Sequence, residues 1–207
     1  MAVIKMPTEQ ETALAFEAYC LALGKVAHAW NYLFERIGRL FVAVIRADEG
    51  VCEAIWNSSD NDRLKIGMFK AALDSAGTDR WPDYPIMKAD LKWLLDTVAA
   101  LTDARNSAIH APCSLAVGPN QAQMATSIFS GHARAKKLLG KDILIEFDWL
   151  ERWTEELSMF VCAIESAVSV PGTWPKRPGK PDRRTKQSLP HPTPPGYSRE
   201  QTVSPQS

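Results

Sequence analysis

The sequence predicts an all-α protein: an up-down bundle of four to five helices followed by a disordered, Pro-rich C-terminal tail. Three observations predict it. Apolar residues recur at helical spacing over most of residues 8–170, Gly and Pro are sparse there, and the composition changes sharply near Val170. Nine of the fourteen prolines fall within residues 171–207, a stretch nearly free of large aliphatic side chains. Such a segment buries too little apolar surface to offset the entropy of ordering. The chain therefore divides into a helical domain, residues 1–170, and a tail, residues 171–207.

The first helix is read from its spacing. Phe16, Cys20, Leu23, Ala27, Trp30, Phe34, Ile37, Phe41 and Val44 follow alternating steps of four and three. Tyr19, Val26, Leu33 and Leu40 form a second row, so the stripe is wide enough to touch more than one neighbour. Thr8 and Glu11 form a capping-box pattern, which starts the helix near residue 9 and carries it to about 46. Gly24 and Gly38 cost helix stability, which points to close approach by another helix.

A short helical turn from Asp48 to Trp56 follows and is broken by Asn57-Ser58-Ser59-Asp60-Asn61. Asp60 or Asn61 caps a second helix to about Ala76, with Ile66, Phe69 and Leu73 inward and Gly77 at its end. Two prolines in Trp81-Pro82-Asp83-Tyr84-Pro85 forbid a regular element there. The third helix starts near Pro85 and runs through Leu91, Leu94, Leu95, Val98 and Leu101 to about His110, because Pro112 disfavours helical geometry at Ala111. Ser114–Val117 and Met124–Phe129 either pair as a small hairpin across Gly118-Pro119-Asn120 or form an irregular loop. The last helix, about 147–169, places Trp149, Trp153, Leu157, Phe160, Ile164 and Val168 on one side.

The net charge of zero conceals an asymmetry. Residues 1–170 hold 17 Lys and Arg against 22 Asp and Glu, whereas the tail holds seven against two. A basic tail of this kind can hold RNA or an acidic partner by phosphate neutralisation, serve as a solvated linker, or fold back on its own acidic body. Cys20, Cys52, Cys113 and Cys162 are widely separated, with no CxxC pair and no histidine at ligand spacing, so neither a structural metal nor a disulfide framework is expected. Cys20 and Cys162 read as small core residues. No stretch reaches the ~20 apolar residues that a membrane helix needs, and the default expectation is a cytoplasmic, reducing compartment with no membrane contact.

The residues that carry chemistry lie at the end of the third helix, in Arg105-Asn106-Ser107-Ala108-Ile109-His110. At ~100° per residue, Arg105 falls among Leu94 and Val98 on the apolar stripe, where a guanidinium is unusual. Asn106 and His110 are four apart and one turn along the axis, within reach of a shared ligand. Arg105 and His110 are about 140° apart, so they converge only if the Arg side chain reaches round or the last turn unwinds. His110 also sits where the helix dipole favours an imidazolium. A histidine that moves protons, an arginine that stabilises phosphate charge and an amide that orients them suit phosphodiester chemistry. The other reading is an Arg whose stem packs in the bundle, with His110 as a helix cap.

This pattern, Arg105-Asn106 followed by His110 at a helix end in an all-α chain, resembles the signature of HEPN domains. The resemblance covers residues 9–169 and not the tail. It implies a four- or five-helix bundle, a homodimer with the two motifs facing one another, no cofactor, and metal-independent RNA cleavage that leaves a 2′,3′-cyclic phosphate, in a toxin–antitoxin or defence setting. Arg105, Asn106 and His110 are then the catalytic residues, and RNA and a regulatory protein are the expected partners. Many HEPN relatives are non-catalytic, so a binding or dimerisation module is the alternative. The chain departs from the family at Ala111-Pro112, where small residues or Gly usually follow the histidine.

Elsewhere the signals are structural. His28 and His132 stand alone, Arg134-Ala135-Lys136-Lys137 reads as a solvated charge run, and Trp149 and Trp153 at helical spacing read as core rather than as a base-stacking platform.

Overall fold

The computed structural model describes residues 6–75, 86–117, 122–127, 132–170 and 172–184. These contain α1 (Glu9–Ile45), α2 (Glu49–Asn57), α3 (Asp62–Ser75), α4 (Met87–His110), α5 (Ala133–Leu138) and α6 (Ile143–Ser169), with one antiparallel hairpin of β1 (Cys113–Val117) and β2 (Ala122–Thr126). The fold is an all-α bundle. Gly77, the Trp81–Pro85 loop, Gly118-Pro119-Asn120 and residues 185–207 lie outside the described residues.

Local capping sets the helix starts. The Thr8 hydroxyl accepts the Glu11 N–H at 3.2 Å while the Glu11 carboxylate accepts the Thr8 N–H at 2.7 Å, so the capping box opens α1. Asp48 caps α2, and Asn61 caps α3 by accepting from Arg63 and Leu64. Asp142 accepts from Leu144 and Ile145, which starts α6 at Ile143 rather than at about 147. The cap lies upstream of the Trp stripe that marks the helix in the sequence, and α5, six residues long, shows no periodicity to read.

Side-chain contacts fix the helix directions. Trp56 of α2 packs back on Gly38 of α1, and Trp30 of α1 meets Asp62 at the start of α3, so α2 descends and α3 rises beside α1. Arg63 pairs with Asp103 and Lys70 with Asp96, making α3 and α4 antiparallel. Trp93 near the start of α4 meets Phe160 in the second half of α6 edge-on at 5.7 Å. Tyr19 lies 5.8 Å from Phe147, and Arg36 pairs with Glu165 at 3.4 Å, so α6 runs parallel to α1. The core between them includes Trp30, Leu33, Ile37, Phe69, Leu94 and Leu157, all buried. Truncating any of the aliphatic members, Leu33, Ile37, Leu94 or Leu157, to Ala would cost about 2–5 kcal/mol.

The stripe on α1 holds only in part. Its buried residues begin at Val26, while Phe16 is 54% exposed and Cys20 is exposed. The hairpin and the start of α6 flank this first half of α1, and they cover the Tyr19 and Leu23 side but leave the Phe16 and Cys20 side open. Cys20 is therefore not a core residue. Cys162 is half-buried, with its sulfur accepting from Arg36 Nε at 2.9 Å. The two glycines also part company. A Cβ at Gly38 would stand 2.5 Å from Trp56 Nε1, so Gly38 does admit a neighbouring helix, whereas Gly24 has nothing within 4 Å.

Residues 172–184 narrow the expectation of a free tail from 171 onward. They form neither helix nor strand but lie as a strap along α4 and α6. Trp174 Nε1 donates to Asp90 Oδ2 at 2.6 Å, Arg177 pairs with the same carboxylate, and Trp149 Nε1 donates to the Pro181 carbonyl at 2.8 Å. Arg183 binds Glu146 through two bonds of 2.6 and 3.0 Å. Counting aliphatic residues missed this attachment because it rests on one Trp, cation–π stacking and charge. Of the tail's alternatives, this part folds back on the acidic body.

Candidate functional site

The site predicted from the sequence lies at the C-terminal end of α4. The helix stays regular to its last residue: the Ala111 N–H donates to the Ser107 carbonyl at 3.0 Å before the chain turns extended at Ala111. Pro112 then accepts from the Ser127 N–H at 2.9 Å, which ties the exit of α4 to the residue after β2. The last turn therefore does not unwind, and His110 stays about 140° round the axis from Arg105.

Arg105 and Asn106 are brought together. Arg105 Nη1 donates to Asn106 Oδ1 at 3.0 Å, and both residues are half-buried. Arg105 lies with its guanidinium carbon 5.8 Å over the ring of Trp30, whose own N–H is held by Asp62 Oδ2 at 2.9 Å. Stacking on an indole stabilises a cation by about 0.5–2 kcal/mol, more as water is excluded. The guanidinium has no carboxylate partner among the described residues, and its Nε is buried without any hydrogen-bond partner. Such a donor costs about 1–3 kcal/mol while it stays unpaired. A permanent cation with unused donors at a helix end is equipped to receive an anion.

His110 is exposed in the last turn of α4, with no hydrogen-bond partner among the described residues. Its link to Asn106 is the spacing of one turn and not a bond. Trp30, which the sequence places on the apolar stripe of the first helix, proves to support Arg105, and Asp62, which no sequence signal singled out, holds the Trp30 indole N–H. A clue was present in Arg105 falling on the apolar stripe, since a cation there needs an aromatic or acidic neighbour, but only the fold says which one.

Among the described residues, no group of three or more His, Cys, Asp or Glu side chains is arranged to hold a metal ion, and no helix is long and apolar enough to cross a membrane. His132 caps α5 by accepting the Arg134 N–H at 3.3 Å. Trp149 and Trp153 are buried, as expected of core residues. No protein-family model, curated protein or solved structure matches the chain.

Proposed function

We propose that this chain is a HEPN-like endoribonuclease that cleaves RNA without a metal ion. The observation that supports the reading is the state of Arg105: a half-buried cation with no carboxylate partner and a buried, unpaired Nε, tied to Asn106, which stands one turn from an exposed histidine. In the reaction the ribose 2′-oxygen attacks the adjacent phosphorus, the 5′-oxygen leaves, and a 2′,3′-cyclic phosphate forms. His110 exchanges the proton at the 2′-hydroxyl or the leaving oxygen, Arg105 stabilises the charge on the pentacoordinate phosphate, and Asn106 positions Arg105. Because His110 and Arg105 stand apart on a regular helix, a homodimer with facing motifs lets one copy supply the proton-transfer group and the other the cation.

The experiment is end-group analysis of RNA incubated with the purified protein in excess chelator. Cyclic phosphate ends support the reading. Ends with 5′-phosphate, or dependence of cleavage on an added divalent ion, contradict it.

A second reading is favoured by the packing of Arg105 on Trp30: a non-catalytic binding or dimerisation module in which Arg105 is structural. It expects Arg105→Ala to destabilise the fold by several kcal/mol, on the order of a broken buried charge contact. It expects His110→Ala to be silent.

A further inference from the structure

A groove of about 990 Å³ runs between α4, α5 and α6 under the 172–184 strap. That is the upper end of the roughly 300–1,000 Å³ typical of small-molecule pockets. Its floor is apolar, formed by Leu101, Ala104, Ala108, Phe147, Leu150 and Trp153. The strap is fixed at both ends, by Trp174 and Arg177 on Asp90 and by Arg183 on Glu146. Between these anchors Pro178 and Lys180 line the groove and leave it open.

The charges at the Glu146 end do not balance. Lys141 and Arg183 share the one Glu146 carboxylate, at 3.7 and 2.6 Å. Lys180 and Arg183 both stand over the Trp149 ring, at 5.1 and 4.5 Å, and Lys180 has no carboxylate partner among the described residues. Three cations around one carboxylate leave this end of the apolar cleft with an excess of positive charge. The groove opens on a different face of α4 from the candidate RNA site, since Ala104 and Ala108 line it and Arg105 and Asn106 do not.

We propose that this groove binds a small amphipathic anion, whose apolar body lies on Phe147, Leu150 and Trp153 and whose carboxylate, sulfonate or phosphate is held by Lys141 and Lys180. Burying the body supplies a driving force of roughly 25 cal/mol per Å² of apolar surface, and the cations fix its orientation. The strap supplies Lys180 and one wall, so its docking and ligand binding support one another.

The test uses the full chain and the probe anilinonaphthalene sulfonate, followed by its fluorescence. The expected result is saturable binding that decanoate or naphthoate displaces. Displacement by decanoate alone marks an acyl anion as the ligand class, and by naphthoate alone an aromatic one. Lys180→Glu should weaken probe binding about tenfold, which corresponds to roughly 1.4 kcal/mol. Ala100→Trp, at an exposed position on the groove wall, should block it. Both variants sit at exposed positions, and matching circular dichroism and melting curves establish that they fold. Unsaturable binding, binding that neither anion displaces, or binding unchanged in both folded variants overturns the proposal.

Discussion

Arg105 is stacked on Trp30, 5.8 Å from guanidinium carbon to ring centre, while its Nε stays buried and unpaired. The first contact stabilises the fold and the second opposes it, and their magnitudes are similar: about 0.5–2 kcal/mol against about 1–3 kcal/mol. Arg105→Met keeps an unbranched stem on the indole and removes the unpaired donor. Its unfolding free energy in urea should stay within about 1 kcal/mol of the parent, while RNA cleavage is lost. A loss of several kcal/mol would instead favour the structural role of Arg105.

The two helical glycines should respond oppositely to Ala. At Gly38 the new methyl meets the Trp56 ring at 2.5–3.1 Å, so α2 must shift and the denaturation midpoint should fall by the equivalent of about 1–3 kcal/mol. At Gly24 nothing lies within 4 Å, and Ala should stabilise the helix by about 0.5–1 kcal/mol.

Asp90 holds the strap and is only 5% exposed. Asp90→Asn removes the charge that Arg177 and Trp174 bind, at a cost of about 1–3 kcal/mol, toward the low end because the Arg177 side chain is 42% exposed. Limited trypsin digestion reads the outcome. Cutting after Lys176 and Arg183 should accelerate, whereas the bonds Arg177–Pro178 and Lys180–Pro181 resist trypsin in either protein.

Burial, reinforced by a side-chain hydrogen bond to Cys113, pushes the Tyr19 hydroxyl up to about 12 from its ordinary 10.0. The folded state thus keeps a proton that the unfolded chain gives up at lower pH. The resulting stability is fully present below pH 10 and is lost as pH rises through 12. Absorbance titration should show one tyrosinate step near pH 12 that disappears in Tyr19→Phe, and the parent's melting temperature should fall more steeply than the variant's above pH 10.

The long helices were legible in the sequence because a three-four apolar rhythm over many turns has one interpretation. The exposed Phe16 and Cys20 were not, since the rhythm continues into the first half of α1, where the hairpin and the start of α6 cover only the Tyr19 and Leu23 side. The strap was hidden because Trp174 and Arg177 find their partner in Asp90, more than eighty residues away. At the candidate site, helical geometry placed Arg105 on the core stripe and separated it from His110. It could not name Trp30 as the surface beneath Arg105, nor give the bond from Arg105 to Asn106, which depends on rotamers. The hairpin after Pro112 stayed open between two readings until the pairing of Leu115 with Met124 decided it.

Cleavage of RNA at the end of α4 is tested most directly by comparing the parent with His110→Ala on end-labelled RNA in excess chelator. His110 is exposed and bonds nothing among the described residues, so the variant should melt at the parent's temperature. Its cleavage rate should fall by about 100-fold or more, the scale of a lost proton-transfer group. Equal cleavage by the two proteins, or no cleavage by the parent, would contradict a ribonuclease site at His110.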